Sequence, residues 1–270
     1  MSATTPTASI PTIDFQDFPS QSQKLIQASV EWGCFRLINH SIPAALMAEM
    51  KATVRALLDL PMEIKQRNRD VIAGSGYVAP SNANPLYEGL GLYYMGSPEA
   101  VHEFCSQLEA SPSQRETIVK YSEAVYNLAM DIVLGPGVQI HTDSGFLTIL
   151  QDDDCVGGLE VVDEKSGEFV SVDPFPGSIL VNFGDVAKVW SNGRFCNIRH
   201  RVQCKEAAVR ISIAFFVLGP KEAAIEAPPE LVDMEQPRLF VPFMFEDYRK
   251  LRLSTGLRAG EALAMLRRST

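Results

Sequence analysis

The chain has 270 residues, a formal net charge of −9 and a pI near 5.0, with 46% hydrophobic residues, 21% charged residues and a mean hydropathy of +0.01. That is enough to bury a sizeable core, and the balance excludes disordered and membrane-spanning classes. An acidic surface repels nucleic acid and anionic lipid, and no apolar run reaches the roughly 20 residues that cross a bilayer, so neither is an expected partner.

In chain order, residues 1–9 are Thr/Ala/Ser-rich without a basic start or an apolar stretch, which predicts a short disordered tail and not a leader. Ile10 to Phe15 alternates as a short strand. Gln21 to Trp32 has apolar residues at helical spacing and stops at Gly33, and Cys34 to Ile38 is again a strand. Pro43 opens a helix through Leu58 that Pro61 ends. Gly74 to Pro98 is rich in Gly and Pro and carries Tyr77, Tyr87, Tyr93 and Tyr94, so it predicts loop with short strands, where aromatic residues often line pockets. Ser111-Pro112 caps a helix to about Ile132.

From Val138 the pattern becomes short β runs separated by turn residues. They are Val138–His141, Phe146–Leu150, Gly158–Val162, Phe169–Val172, Ser178–Phe183, Ala187–Trp190, Ile198–Gln203 and Val209–Leu218. Such spacing predicts a sandwich, barrel or jelly roll. Helix returns at Phe245–Leu251 and Gly260–Arg268. The five cysteines, Cys34, Cys105, Cys155, Cys196 and Cys204, are odd in number and lack a C-x-x-C pair, which suits free thiols in a reducing compartment; the cytoplasm is expected.

His141-Thr142-Asp143 sets an imidazole and a carboxylate two residues apart, on one side of extended backbone. With four His and 14 Asp in the chain, that pair alone carries little. His200 follows in another β run, and two imidazoles with one carboxylate form the facial triad of non-haem Fe(II) oxygenases, leaving positions open for a co-substrate and O2. Beyond it, Arg210-Ile211-Ser212 puts a guanidinium fork and a hydroxyl on one face, suited to the far carboxylate of a dicarboxylic oxo acid. The bland readings are that His40 and His102 are structural, and that Asp152-Asp153-Asp154 is a solvated turn and not a calcium site.

On these residues the chain resembles the plant 2-oxoglutarate/Fe(II)-dependent dioxygenases. The likeness runs from Ile10-Pro11-Thr12-Ile13-Asp14 and Trp32-Gly33-Cys34-Phe35 through His141 to Gln151, Asn182-Phe183-Gly184-Asp185 and His200-Arg201-Val202 to Arg210-Ile211-Ser212. It resembles in particular the auxin-oxidising dioxygenases, through Met47 to Lys51, Gly76-Tyr77, Asn84 to Glu88 and Arg201 to Lys205.

The resemblance implies a mainly β fold with flanking helices: a double-stranded β-helix (jelly-roll) core over 133–220, an N-terminal helical and strand region over 10–132, and a C-terminal helical extension over 221–270. It implies His141, Asp143 and His200 as iron ligands and Arg210 with Ser212 on the C5 carboxylate of 2-oxoglutarate. Phe216 corresponds to an aromatic set against a ring substrate, with core packing as the alternative; Tyr77 and Tyr87 are further pocket candidates. Fe(II), 2-oxoglutarate and O2 are the implied cofactor and co-substrates, with ascorbate as an auxiliary reductant. The implied reaction is oxidation of indole-3-acetic acid to 2-oxindole-3-acetic acid by a monomer. Alternatives are a gibberellin, flavonoid or coumarin substrate, or an internally deleted, catalytically impaired isoform. The last arises because about thirty residues, with a strand carrying an N-x-Y element, are expected before His141 and are missing. The core is therefore expected one strand short.

Overall fold

The computed structural model describes residues 9–72, 74–82, 85–132, 142–202, 210–257 and 259–268. His141, Cys204 and the β run expected at Val138–His141 lie outside them. The chain forms two compact units, Met1–His40 with Ile132–Thr270, and Ser41–Asp131.

The first unit is built on a five-stranded sheet. β1 (Thr12–Asp14) pairs in parallel with β2 (Cys34–Ile38), and α1 (Phe18–Glu31) connects them. The second unit is helical: α2 (Ala44–Leu58) starts after Pro43, α3 (Met62–Lys65) after Pro61, and α4 (Pro98–Gln107) and α5 (Pro112–Ile132) follow. The tyrosine-bearing stretch before α4 is largely irregular and includes one bridge, Val78 to Gly89. α4 is a helix that apolar spacing left unassigned; Pro98 in its first turn and the Ser97 hydroxyl, accepting the Ala100 N–H at 3.3 Å, are its start signals.

Back in the first unit come β3 (Leu147–Gln151), β4 (Leu159–Val162), β5 (Phe169–Ser171), β6 (Ile179–Phe183), α6 (Asp185–Trp190), β7 (His200–Val202) and β8 (Ile213–Val217). The large sheet has the order β1-β2-β6-β3-β8 and the small one β5-β4-β7. The strand expected at Ala187–Trp190 is instead α6. Val186 and Val189, three residues apart, bury one helical face among Phe240, Phe245 and Tyr248, and that periodicity overrides β propensity. The unit closes with α7 (Phe245–Thr255), stopped by Gly256 at φ 70°, and α8 (Glu261–Ala264).

Register assigns the faces of the large sheet. Cys34, Asn182, Thr148 and Phe216 lie opposite one another across β2, β6, β3 and β8; two residues along, so do Arg36, Leu180, Leu150 and Ala214. Cys34, Leu150 and Leu180 pack in one cluster with Leu159 and Val161 of β4, so this face looks onto the small sheet. The interior of a jelly roll lies between them. The other face buries Phe35, Leu37, Leu147, Ile149, Val181 and Phe183, with Gln151 at the end of β3 and the half-buried Phe215 and Val217 of β8 beside them.

Candidate metal and co-substrate site

The H-x-D turn immediately precedes β3. Asp143 is buried, and Thr148, on the interior face of β3, donates its hydroxyl proton to Asp143 Oδ2 at 2.5 Å. That bond draws the Asp143 carboxylate to the interior face. Burial pushes its pKa up to about 7, against the Thr148 bond and the Arg252 charge, which lower it. His200 begins β7 opposite Val161, and since Val161 faces the interior cluster, the imidazole does too. The structure therefore turns Asp143 and His200 into the same interior; His141 is outside the described residues, and among those described no third ligand completes a metal group.

The turn is fastened from behind by Asp185, which is 0% exposed. Its Oδ2 accepts hydrogen bonds from Thr142 Oγ1 at 2.9 Å, Tyr248 Oη at 2.6 Å and Arg252 Nη1 at 2.5 Å; its Oδ1 accepts from Asn197 Nδ2 at 2.7 Å. Its backbone N–H donates to the Asp143 carbonyl at 2.8 Å. One carboxylate thus ties Thr142, the segment entering β7 and helix α7. Gly184 permits this approach, because a Cβ there would meet the Gly145 carbonyl oxygen at 2.1 Å.

At the other end of the interior face, Arg210 Nη1 donates to Ser212 Oγ at 3.3 Å, so the expected pair is brought together. Arg210 Nη2 forms an ion pair with Asp152, and Nε is buried without a partner. Asp152 and Asp153 correct the solvated-turn reading. Asp153 is buried and accepts the Ile211 N–H at 3.0 Å, and Asp152 is held by Arg210; no calcium group forms among the described residues.

Phe216 is 44% exposed although its cross-strand neighbour Thr148 is buried, so core packing does not account for it. In the helical unit, Tyr77 donates its hydroxyl proton to Glu88 Oε1 at 2.6 Å, with its own pKa pushed up to about 12 by burial and then by Glu88, while Tyr87 is exposed. His40 bonds the Gly177 carbonyl at 3.1 Å and His102 Nδ1 meets Arg115 at 2.9 Å, as structural residues do.

The donor set suits Fe(II): imidazole and carboxylate, with the Cys34 thiol on the same face held protonated by burial, its pKa near 12. The unpartnered Arg210 Nε and the unpartnered, buried Asn182 Nδ2, on the interior face beside Thr148, suit an oxygen-rich guest. Apolar spacing did not single out Thr148, Asn182, Asp152 or Asp185. The available signal was a polar residue inside an apolar run, as in Leu147-Thr148-Ile149-Leu150, or just beyond one.

Residues 117–219 match the 2OG-Fe(II) oxygenase superfamily, and residues 10–108 match the N-terminal region described as non-haem dioxygenase in morphine synthesis. The chain is 50% identical to the 2-oxoglutarate-dependent dioxygenase DAO of Oryza sativa over 279 positions, covering 91% of this chain and 93% of the rice protein. As 91% of 270 residues is about 246, about 33 aligned positions face gaps in this chain, in line with the expected shortening. The crystal structure of the rice dioxygenase for auxin oxidation superposes with a TM-score of 0.87 at 47% identity, over 96% of this chain and 100% of that one. The Arabidopsis thaliana dioxygenase for auxin oxidation 1, in its 2-oxoglutarate complex, gives 0.82 at 50% identity over 85% and 100%. The chain belongs to the 2OG-Fe(II) oxygenase superfamily, and is an oxidoreductase of its 2-oxoglutarate-dependent dioxygenases.

Proposed function

We propose that the chain oxidises indole-3-acetic acid to 2-oxindole-3-acetic acid, with His141, Asp143 and His200 holding iron and Arg210 and Ser212 holding the distal carboxylate of 2-oxoglutarate. The observation that carries the substrate is the likeness to two dioxygenases named for auxin oxidation, 47% identical over 96% of this chain and 50% identical over 85% of it. A flat aromatic acid also suits the exposed ring of Phe216 on the otherwise closed interior face.

When bound, Fe(II) supplies the centre at which O2 is reduced as 2-oxoglutarate is oxidatively decarboxylated to succinate and CO2, one oxygen atom passing to the substrate. The protein's part is binding and orientation. Thr148 fixes the Asp143 carboxylate, Asp185 fixes the H-x-D turn, and Arg210 with Ser212 fixes the oxo acid at its far end. Cys34, Leu150, Leu180 and Val161 keep water from the interior.

The test is turnover with Fe(II), 2-oxoglutarate, O2 and ascorbate, with 2-oxindole-3-acetic acid and succinate quantified together. Equimolar formation of both is expected with indole-3-acetic acid, and none above uncoupled turnover with a gibberellin, flavonoid or coumarin. Coupled turnover of one of those acceptors in its place would refute the assignment. Succinate no higher than without acceptor, from protein that still binds iron and 2-oxoglutarate, would identify the chain as the impaired isoform.

A further inference from the structure

Arg210 is gripped by the protein's own framework. Its ion pair with Asp152 is secluded, the side chains being 12% and 10% exposed. The same Asp152 oxygen accepts the Asp153 N–H at 2.8 Å, which ties the carboxylate back to its own loop. Asp153 continues the grip. Its Oδ2 accepts the Ile211 N–H at 3.0 Å, and its Oδ1 accepts the N–H groups of Cys155 and Val156, each at 3.0 Å. Two adjacent carboxylates therefore hold Arg210 by its side chain and the next residue by its backbone. Arg36 lies within charge range of Asp152 and is itself fixed, through Ser178 Oγ and the Asp173 carbonyl, each at 2.7 Å.

What this leaves uncommitted is the Nη1 edge beside the Ser212 hydroxyl and the buried Nε. A carboxylate anchored twice over, by a guanidinium and by its own backbone, is a fixed part of the framework. It is poorly placed to act as a removable plug.

Resting on the reading of Arg210 as the anchor for the distal carboxylate, we infer that Asp152 is a positioning residue that aims the guanidinium and so sets the preference for a dicarboxylic over a monocarboxylic 2-oxo acid. A site built around a pre-aimed donor rejects a ligand that lacks the matching acceptor, because the buried N–H is then left unpaired. Released from Asp152, the guanidinium loses its alignment and the site loses discrimination at that end only. Binding at the metal end is untouched.

The experiment is an anaerobic titration of the Fe(II)-loaded protein with 2-oxoglutarate and, separately, with 2-oxopentanoate, which has the same chain length without the distal carboxylate. The metal-to-oxo-acid charge-transfer absorption reports both. Asp152→Asn should weaken 2-oxoglutarate about tenfold, as loss of a partner behind a ligand-binding group does, and leave 2-oxopentanoate within about twofold of wild type. Arg210→Ala should weaken 2-oxoglutarate further, and adding Asp152→Asn to it should change nothing more. If the amide variant does not fold, Asp152→Ser takes its place. Tighter 2-oxoglutarate binding by Asp152→Asn would make Asp152 a competitor, and equal weakening of both acids would make it a general structural residue; either overturns the inference. Loss in Arg210→Ala with none in Asp152→Asn overturns it alone. Wild-type affinity in Arg210→Ala overturns the anchor reading along with it.

Discussion

The two faces of the large sheet are made by the same strands and do different work. One face carries Phe35, Leu37, Leu147, Ile149, Val181 and Phe183, and close packing is what it chiefly requires. The other alternates Cys34, Asn182, Thr148 and Phe216 with Arg36, Leu180, Leu150 and Ala214. There, several buried polar groups are kept at a cost in desolvation. A strand's two-residue period lets stability and chemistry be assigned to opposite sides of one backbone, and a one-residue slip would exchange them.

The largest expected effect is on the apolar face. Phe183→Ala removes a fully buried ring stacked on Phe195 at 5.2 Å between centroids. It should cost about 3–5 kcal/mol in guanidinium denaturation while the folded fraction still binds Fe(II). Unchanged stability with lost metal affinity would collapse the distinction between the faces. On the interior face, Thr148→Val keeps the shape and deletes the donor to Asp143. Fe(II) affinity, measured by anaerobic titration, should fall about ten- to hundredfold with a smaller stability loss than Phe183→Ala; undiminished affinity would remove Thr148 from the site's support. The smallest effect is expected on the outside of the small sheet. Arg199 there pairs with Glu164 at 3.1 Å, and the two side chains are 44% and 38% exposed. Arg199→Ala should cost only about 0.2–1 kcal/mol and leave co-substrate affinity unchanged, and a shift in that affinity would mean that the outer face communicates with the interior.

The strands were legible from alternation and turn residues because each is short and bounded, and the Arg210–Ser212 pair because its chemistry is written in residue type and spacing. β2 falls at Cys34–Ile38 as the pattern predicts, and Arg210 meets Ser212 because they are two apart on extended backbone. Asp185 was not legible as a hub. Its partners Thr142, Tyr248 and Arg252 are 43, 63 and 67 residues away, and no local pattern distinguishes its carboxylate from the other 13 aspartates. Asp152 misled for a related reason: three carboxylates in a row look solvated until the chain returns, 58 residues later, to bring a guanidinium to one of them. α6 was read as strand because its valines favour strands, and the cluster that makes it a helix is formed by residues from the far end of the chain.

The bonds from Tyr248 and Arg252 to Asp185 make α7 a fastening rather than an appendage. A chain cut or terminated ahead of Phe245 would strand a wholly buried carboxylate with two of its four side-chain donors gone. The turn bearing Asp143 would then loosen from behind. Damage to the carboxyl end of this molecule should therefore register first as poor retention of iron, well before the sheets themselves come apart.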